Sequence, residues 1–404
     1  MNKTLTYLVF FLCASYVGLG STNPQYIIIG IFFLPLLIGL IGKRKLNFKL
    51  ESWLDIIPFV MLLAWVYGLI LGIYNSNNPV GIMRNFFGMS FYSVFIFLFF
   101  FKPDKKEIYK AIVWASLVNI VYAFYFSSQR WLGGFLGGSE AITLTDLYRS
   151  YYSVGVLILL PVLSVLIAGK FTGNHIFFSQ ALLGKNLGFY IPVFIIFLAL
   201  VGTTASKGFF LIFMLIFIML ALILVAKSLL VNKLYRSAWS FAFLSLVFFS
   251  IVLFTINFIP QKNNLDSKNI ISTLIYTYSG RETSNSIRNE QRKYLVNEYS
   301  FFGAGLGATL KSGYKRDDLG YGFELSYENV IHKFGFISIF ILFGLFLPLV
   351  VSIKNILIKR DIFYSSVAFG LMGYLVPAYG NPMLFSPICV LMHCLAIYFL
   401  RNSK

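Results

Sequence analysis

Charge is what this sequence has least of. Only 12% of its 404 residues are charged, against 58% hydrophobic. A soluble domain carries about a quarter charged residues. Acidic residues are the scarcest, with fifteen Asp and Glu facing thirty-three Lys and Arg. The three cysteines (Cys13, Cys389 and Cys394) all fall inside apolar runs. They read as small buried hydrophobes, not as a disulfide framework or a metal set. Three scattered histidines (His175, His332 and His393) lack any zinc-ligand spacing. There is no short-period repeat and no low-complexity tract.

What is present is a series of apolar blocks. Each is about 17–25 residues long, the length that crosses a bilayer core as a helix. A membrane barrel would need alternating residues instead. The reading is an all-α polytopic membrane protein with about twelve transmembrane helices, forming a single domain over residues 1–404. The spans are expected at roughly 4–20, 26–42, 54–74, 80–101, 108–126, 151–169, 188–205, 208–226, 237–259, 329–353, 362–379 and 384–400. Residues 1–20 have the look of a signal peptide. Removing them would break the charge alternation downstream, so they are expected to be a span.

The connections between spans carry the orientation. Those on one side hold Lys43, Arg44, Lys45 and Lys49, then Lys102, Lys105 and Lys106, then Lys170 and Lys185. Further along they hold Lys227, Lys233 and Arg236, then Lys354, Lys359 and Arg360, and finally Arg401 and Lys404. The opposite connections 21–25, 75–79 and 379–383 hold no Lys or Arg. Positive charge concentrates on cytoplasmic loops, so both termini are expected inside. The net charge of +18 is then mostly topological, facing an anionic leaflet, and calls for no nucleic-acid partner.

One stretch breaks the apolar pattern. Residues 260–328 hold eight of the fifteen acidic residues and nine of the thirty-three Lys and Arg. They form an expected extracytoplasmic loop between spans nine and ten, the sort of place where a membrane protein does chemistry in water. A helix is expected over about 282–298, where Glu282, Thr283 and Ser284 supply start signals. The run Phe301-Phe302-Gly303-Ala304-Gly305-Leu306-Gly307 must then turn. Glycines at alternate positions permit positive φ and close backbone approach. The chain re-enters the membrane near Glu328. A second outer segment, 127–150, contains Gly133, Gly134, Gly137 and Gly138 and is expected to be flexible.

Several charged residues need a reason. Arg281, Arg288 and Arg292 are spaced i, i+7, i+11, which puts them on one helical face. Such a face has two readings. It binds a diphosphate or other polyanion through guanidinium forks, or it is a wet surface paired with Glu290 and Glu298. Arg84 lies within span four, where an unpaired cation costs several kcal/mol. Lys333 lies in span ten. Arg149 and Lys207 lie near the outer interface, where long side chains snorkel. Glu324 and Glu328, four apart, would share a helical face as the loop re-enters the membrane. One of them then suits a general base, unless it pairs with a loop arginine. His332 follows Glu328 at i+4. It either joins that stripe or is a packing residue.

These residues, in this order, resemble the O-antigen ligase/polymerase superfamily. The resemblance rests on Ser279-Gly280-Arg281, Phe302-Gly303-Ala304-Gly305-Leu306-Gly307 and the re-entry segment ending Phe334-Gly335-Phe336-Ile337. Ser206-Lys207-Gly208 resembles a further element of that family. It covers roughly 190–350 by motif and the whole chain by architecture. The family's ligases carry a His-Asn pair eleven residues before a glycine, where this chain has Glu324-Leu325. That departure favours the polymerases.

The resemblance implies a glycosyltransferase of the bacterial inner membrane. It would polymerise undecaprenyl-diphosphate-linked oligosaccharide repeat units into O-antigen or capsular polysaccharide on the outer face. It implies no cofactor and no metal. Arg281, Arg288, Arg292, Lys207, Arg149 and Arg84 would hold the substrate diphosphate. Arg281, Glu324 and Glu328 would be the catalytic set. Membrane lipids would surround the chain. A polysaccharide chain-length regulator and a flippase are the further partners it suggests. The alternatives are an O-antigen ligase or protein O-oligosaccharyltransferase and, from another class, a lipid-linked oligosaccharide transporter. A transporter would show inverted repeats with matched broken spans and short loops. No such symmetry is visible.

Overall fold

The computed structural model describes residues 50, 52–135, 157–172, 188–196, 199, 207–231, 283–315, 320, 322–358 and 361–401. Among them every regular element is helical. The helices are α1 (Ile56–Tyr74), α2 (Pro79–Ser90), α3 (Ser93–Phe101), α4 (Lys105–Phe135), α5 (Leu159–Thr172) and α6 (Lys207–Val231). They continue with α7 (Thr283–Asn297), α8 (Ser326–Phe334), α9 (Ser338–Leu357), α10 (Ile362–Leu371) and α11 (Pro387–Leu400). Three helical stretches are long and apolar enough to cross a membrane: Trp53–Tyr74, Ser326–Leu357 and Ile362–Tyr379. The expected spans 4–20, 26–42 and 237–259 lie outside the described residues.

Local chemistry explains the helix starts. Ser52 and Asp55 form a capping box ahead of α1, with Ser52 accepting from the Leu54 amide and Asp55 from the Ser52 amide. Asn78 caps α2 by accepting from Val80 and Gly81, with Pro79 in the first turn.

Three expected spans turn out to be broken. Span four is two helices, α2 and α3, which meet at Phe91 and Tyr92. Tyr92 is fully buried there and hydrogen-bonds His393 Nδ1 at 2.8 Å, while His393 Nε2 lies 3.1 Å from the Gly344 carbonyl. A carbonyl only accepts, so Nε2 is the donor and Nδ1 accepts from the tyrosine. His393 thus ties α9, α11 and the α2–α3 break together. Span ten bends at Gly335, between α8 and α9. Span eleven ends as short 3-10 turns, Met372–Leu375 and Pro377–Tyr379. A further difference concerns 127–150. Helix α4 runs on to Phe135, through Gly133 and Gly134, and residues 136–150 lie outside the described residues.

Helix α11 is the central pillar. Every residue from Ile388 to Leu400 is buried, including Cys389 and Cys394. That explains a helix apolar on all sides. Helices α1 and α9 instead leave one face uncovered: Leu63, Ile70 and Ile73 on α1, and Ile339, Phe340, Phe343 and Val350 on α9. These faces suit a lipid environment.

The described helices gather their termini at two ends. At the first, Arg401 meets Asp55 at 3.3 Å, both almost fully buried, and its guanidinium sits 4.8 Å from the centre of the Phe99 ring. Lys105 donates to the Phe399 and Arg401 carbonyls that close α11, and Tyr398 donates to the Pro103 carbonyl. At the second, the 303–307 run rests on the end of α1 and the start of α2. Next to it, α7 and α8 meet the Pro377–Tyr379 turn.

Candidate site at the α7–α8 junction

Helix α7 matches the expected 282–298 helix closely, at Thr283–Asn297. Arg288, Gln291, Arg292 and Leu295 stand at i, i+3, i+4 and i+7, so they line one face. Leu295 docks that face into a small core with Leu310, Phe323 and Leu325. Gln291, fully buried, accepts the backbone amides of Glu324 and Leu325 at 3.0 and 3.3 Å. Those bonds hold the chain non-helical until α8 starts at Ser326.

This overturns one expectation. Glu324 and Glu328 do not share a helical face, because Gln291 takes the amides at 324 and 325 and Glu324 stays ahead of the helix. Each carboxylate meets its own arginine instead. Arg288 Nε lies 3.1 Å from Glu324 Oε2, and Arg292 Nε lies 2.8 Å from Glu328 Oε1. The partners expected for the arginines, Glu290 and Glu298, also change. Glu290 is exposed. Glu298 accepts the Lys311 and Ser312 amides at 2.7 and 2.9 Å. Burial of Glu298 disfavours its charge, but those amide bonds prevail and hold its carboxyl below the usual range.

The pairs are partly wet, with arginine side chains about 30% exposed (29% and 32%). The hydrogen bond to Glu328 raises the Arg292 guanidinium above its usual range despite partial burial. Burial, helped by the Glu328 charge, pushes the nearby Tyr299 phenol up to about 12. Arg292 Nη2 also donates to the Tyr379 hydroxyl at 2.7 Å. The turn after α10 closes over the second pair as well, because Gly380 lies against the Arg288 guanidinium. Among the described residues, Glu328 Oε2, Asn329 Oδ1 and Gln291 Nε2 are buried without a hydrogen-bond partner. These residues form no His, Cys, Asp and Glu group suited to a metal ion, again among the described residues.

Beside the site, the glycine run is a strap laid on other backbones. Gly303, Gly305 and Gly307 have φ of +83°, +82° and +72°, as alternate glycines led one to expect. The Ala304 and Gly305 amides donate to the His332 and Lys333 carbonyls, and the Leu306 amide donates to the Gly68 carbonyl. Asn77 Nδ2 donates to the Ala304 and Leu306 carbonyls. Asn85 Oδ1 accepts from the Gly307 amide and from Lys333 Nζ at 2.7 Å. Buried Lys333 is therefore held by polar partners and lies 5.8 Å from the centre of the Phe323 ring. His332 is buried at the edge of Phe323, a packing position and not a surface stripe.

The structure brings Arg288, Arg292, Glu324 and Glu328 together. Arg84 is exposed on α2, next to Asn85, and Lys207 is the first residue of α6. Arg281 and Arg149 lie outside the described residues. Sequence reading missed Gln291 and Tyr379. The three-and-four spacing from Arg288 to Leu295 carried a signal for Gln291. Tyr379 sits in Pro377-Ala378-Tyr379-Gly380-Asn381, which reads only as a turn. No family model matches the chain, and no curated protein matches its sequence.

Proposed function

We propose that this chain is an inner-membrane glycosyltransferase that polymerises undecaprenyl-diphosphate-linked repeat units on the outer face. The observation that carries the reading is the double Arg–Glu cluster, partly exposed where the polar loop meets an apolar helical bundle. A lipid-linked sugar presents a diphosphate at that level and an isoprenoid chain below it. Guanidinium forks bind the first, and uncovered apolar helix faces suit the second.

In the reaction, a hydroxyl of the acceptor sugar attacks the anomeric carbon of the donor glycan. A new carbon–oxygen bond forms, the bond to the diphosphate breaks, and undecaprenyl diphosphate leaves with the electron pair. Arg288 and Arg292, joined by Arg281, stabilise the charge gathering on that leaving group. Both carboxylates are paired at rest; as the diphosphate takes Arg288 from Glu324, that carboxylate is freed to accept the hydroxyl proton, with Glu328 the alternative. The two pairs are formally neutral. Binding a diphosphate there thus draws on guanidinium N–H groups that turn from the carboxylates to the phosphates and on Arg281, with Lys207, Arg149 and Arg84 as further cations.

The twelve-span layout with cytoplasmic termini belongs to the same proposal. In its support, Lys102, Lys105 and Arg401, expected inside, lie at or beside the end where Lys105 meets the last turn of α11. The 75–79 and 379–383 connections, expected outside, contribute Asn77 and Tyr379 to contacts with the 260–328 loop at the other end. A chain-length regulator and a flippase would be its working partners.

The test is the surface-glycan profile of a strain deleted for the gene and complemented with wild type, Arg281→Ala or Arg292→Ala. Collapse to a single repeat unit, unrescued by either variant at normal membrane levels, supports the reading. Long chains that stay on the undecaprenyl carrier would make the protein a ligase. Single units trapped on the cytoplasmic face would make it a transporter.

A further inference from the structure

Tyr379 is a half-exposed aromatic on a turn, and by itself that is ordinary. Its surroundings are not. The turn is fastened at several points. Asn381 Nδ2 donates to the Pro377 carbonyl at 2.9 Å, Ser326 Oγ donates to the Asn381 carbonyl at 2.6 Å, and Tyr327 donates to the Leu375 carbonyl. The Tyr379 hydroxyl is itself held by Arg292. The ring is therefore fixed before any ligand arrives, which lowers the entropy lost on binding.

Arg292 sits over one side of the ring, its Cζ 5.3 Å from the ring centre while Nη2 reaches the hydroxyl. The residue still keeps 57% of its surface exposed, so the side away from the arginine is the one open to a ligand. Beside it, Gly380 abuts Arg288, so one short turn spans both Arg–Glu pairs. A rigid, open aromatic face next to paired guanidinium groups matches a ligand with two joined parts: an anion, and a ring with a face of C–H bonds. Aromatic faces carry negative quadrupole charge and attract such hydrogens. A sugar bonded directly to a diphosphate has both parts, one sugar's width apart.

We propose that Tyr379 is a positioning residue that stacks on the sugar ring attached to the diphosphate and so fixes the anomeric carbon against the arginines. This rests on the proposed function, whose diphosphate site it extends. Glu328 Oε2, buried without a hydrogen-bond partner among the described residues, is an acceptor for a sugar hydroxyl once the ligand displaces the Arg292–Glu328 contact.

The test uses the full-length protein in lipid nanodiscs and two probes: farnesyl diphosphate, and farnesyl diphosphate bearing one N-acetylhexosamine. Wild type should bind the sugar-bearing probe at least tenfold more tightly. Tyr379→Leu should erase that preference while binding the bare diphosphate within twofold of Tyr379→Phe, which lacks the same hydroxyl. Tyr379→Phe, which keeps the ring and loses the hydroxyl, should retain the preference. Equal losses in the Phe and Leu variants would overturn the inference, leaving only the hydroxyl's hold on Arg292. A Leu variant that keeps the preference would overturn it too. If wild type binds neither probe, the diphosphate reading itself fails.

Discussion

Arg288 and Arg292 each meet a carboxylate through Nε. An arginine carries five N–H donors, so it can pass from a carboxylate to a phosphate without losing its fork geometry. In the proposed reaction the carboxylates are both counter-ions and competitors of the incoming diphosphate. Replacing Glu324 with Gln separates these roles from proton transfer. Turnover should fall by about 10²–10⁴-fold, the usual contribution of a positioned general base. Affinity for undecaprenyl diphosphate should hold or rise, because a competing anion has gone. Kinetics and binding measured on the same purified variant check this. Parallel losses in both would mean that the Arg288–Glu324 pair serves only to seat α7.

At the scale of elements, the strap from Gly303 to Gly307 decides how the polar loop sits on the bundle. A Cβ on Gly305 would collide with the Gly72 amide nitrogen, and one on Gly307 would stand 2.5 Å from that of Ile82. Gly313 has the same sign of φ, +76°, but nothing lies within 4 Å of its Cβ position. Gly313→Ala should therefore cost only the backbone strain of a left-handed residue, about 1–2 kcal/mol. Gly305→Ala adds a backbone collision and should exceed about 4 kcal/mol. Thermal unfolding of the two variants in detergent micelles compares them directly, and similar losses would refute the close approach.

This strap was legible in the sequence, because positive φ is a local property that glycine spacing advertises. Helix α7 was legible from its start signals. The pairing of Arg288 with Glu324 and of Arg292 with Glu328 was not. It depends on Gln291 reaching across 33 residues of sequence to the 324–325 amides, and no local pattern encodes that. The breaks at Phe91, Gly335 and Met372 were hidden for a related reason. Hydropathy counts apolar residues and is blind to a tyrosine turning inward to a histidine.

At the scale of the whole molecule, one buried ion pair joins the first described helix to the last. Asp55 opens α1 and Arg401 closes α11, with the Phe99 ring beside the guanidinium. Removing one partner strands a buried charge, so Asp55→Ala should cost about 3–5 kcal/mol. The double change Asp55→Leu with Arg401→Met should recover most of that loss, and a double-mutant cycle on unfolding measures it. Additive losses would mean that the pair is not coupled.

The opposite end carries an aromatic group. Phe301 and Phe336 stack at 4.9 Å, and Phe301 and Phe302 are largely exposed, in line with the uncovered faces of α1 and α9. Glu328 stands six residues before Phe334, the last residue of α8, about 9 Å along that helix at 1.5 Å per residue, and Phe336 lies just past the Gly335 bend. If the phenylalanines lie at the hydrocarbon boundary, the Arg–Glu pairs stand at lipid-headgroup level, where a membrane-held diphosphate sits.

The most direct measurement is reconstitution. Purified protein in liposomes would be given undecaprenyl-diphosphate-linked repeat units, with EDTA present. The account predicts a ladder of glycans, one undecaprenyl diphosphate released per linkage formed, and loss of the ladder in Arg292→Ala with the protein still folded. Unchanged single repeat units in the wild-type reaction, or an Arg292→Ala ladder as long as wild type, would contradict it.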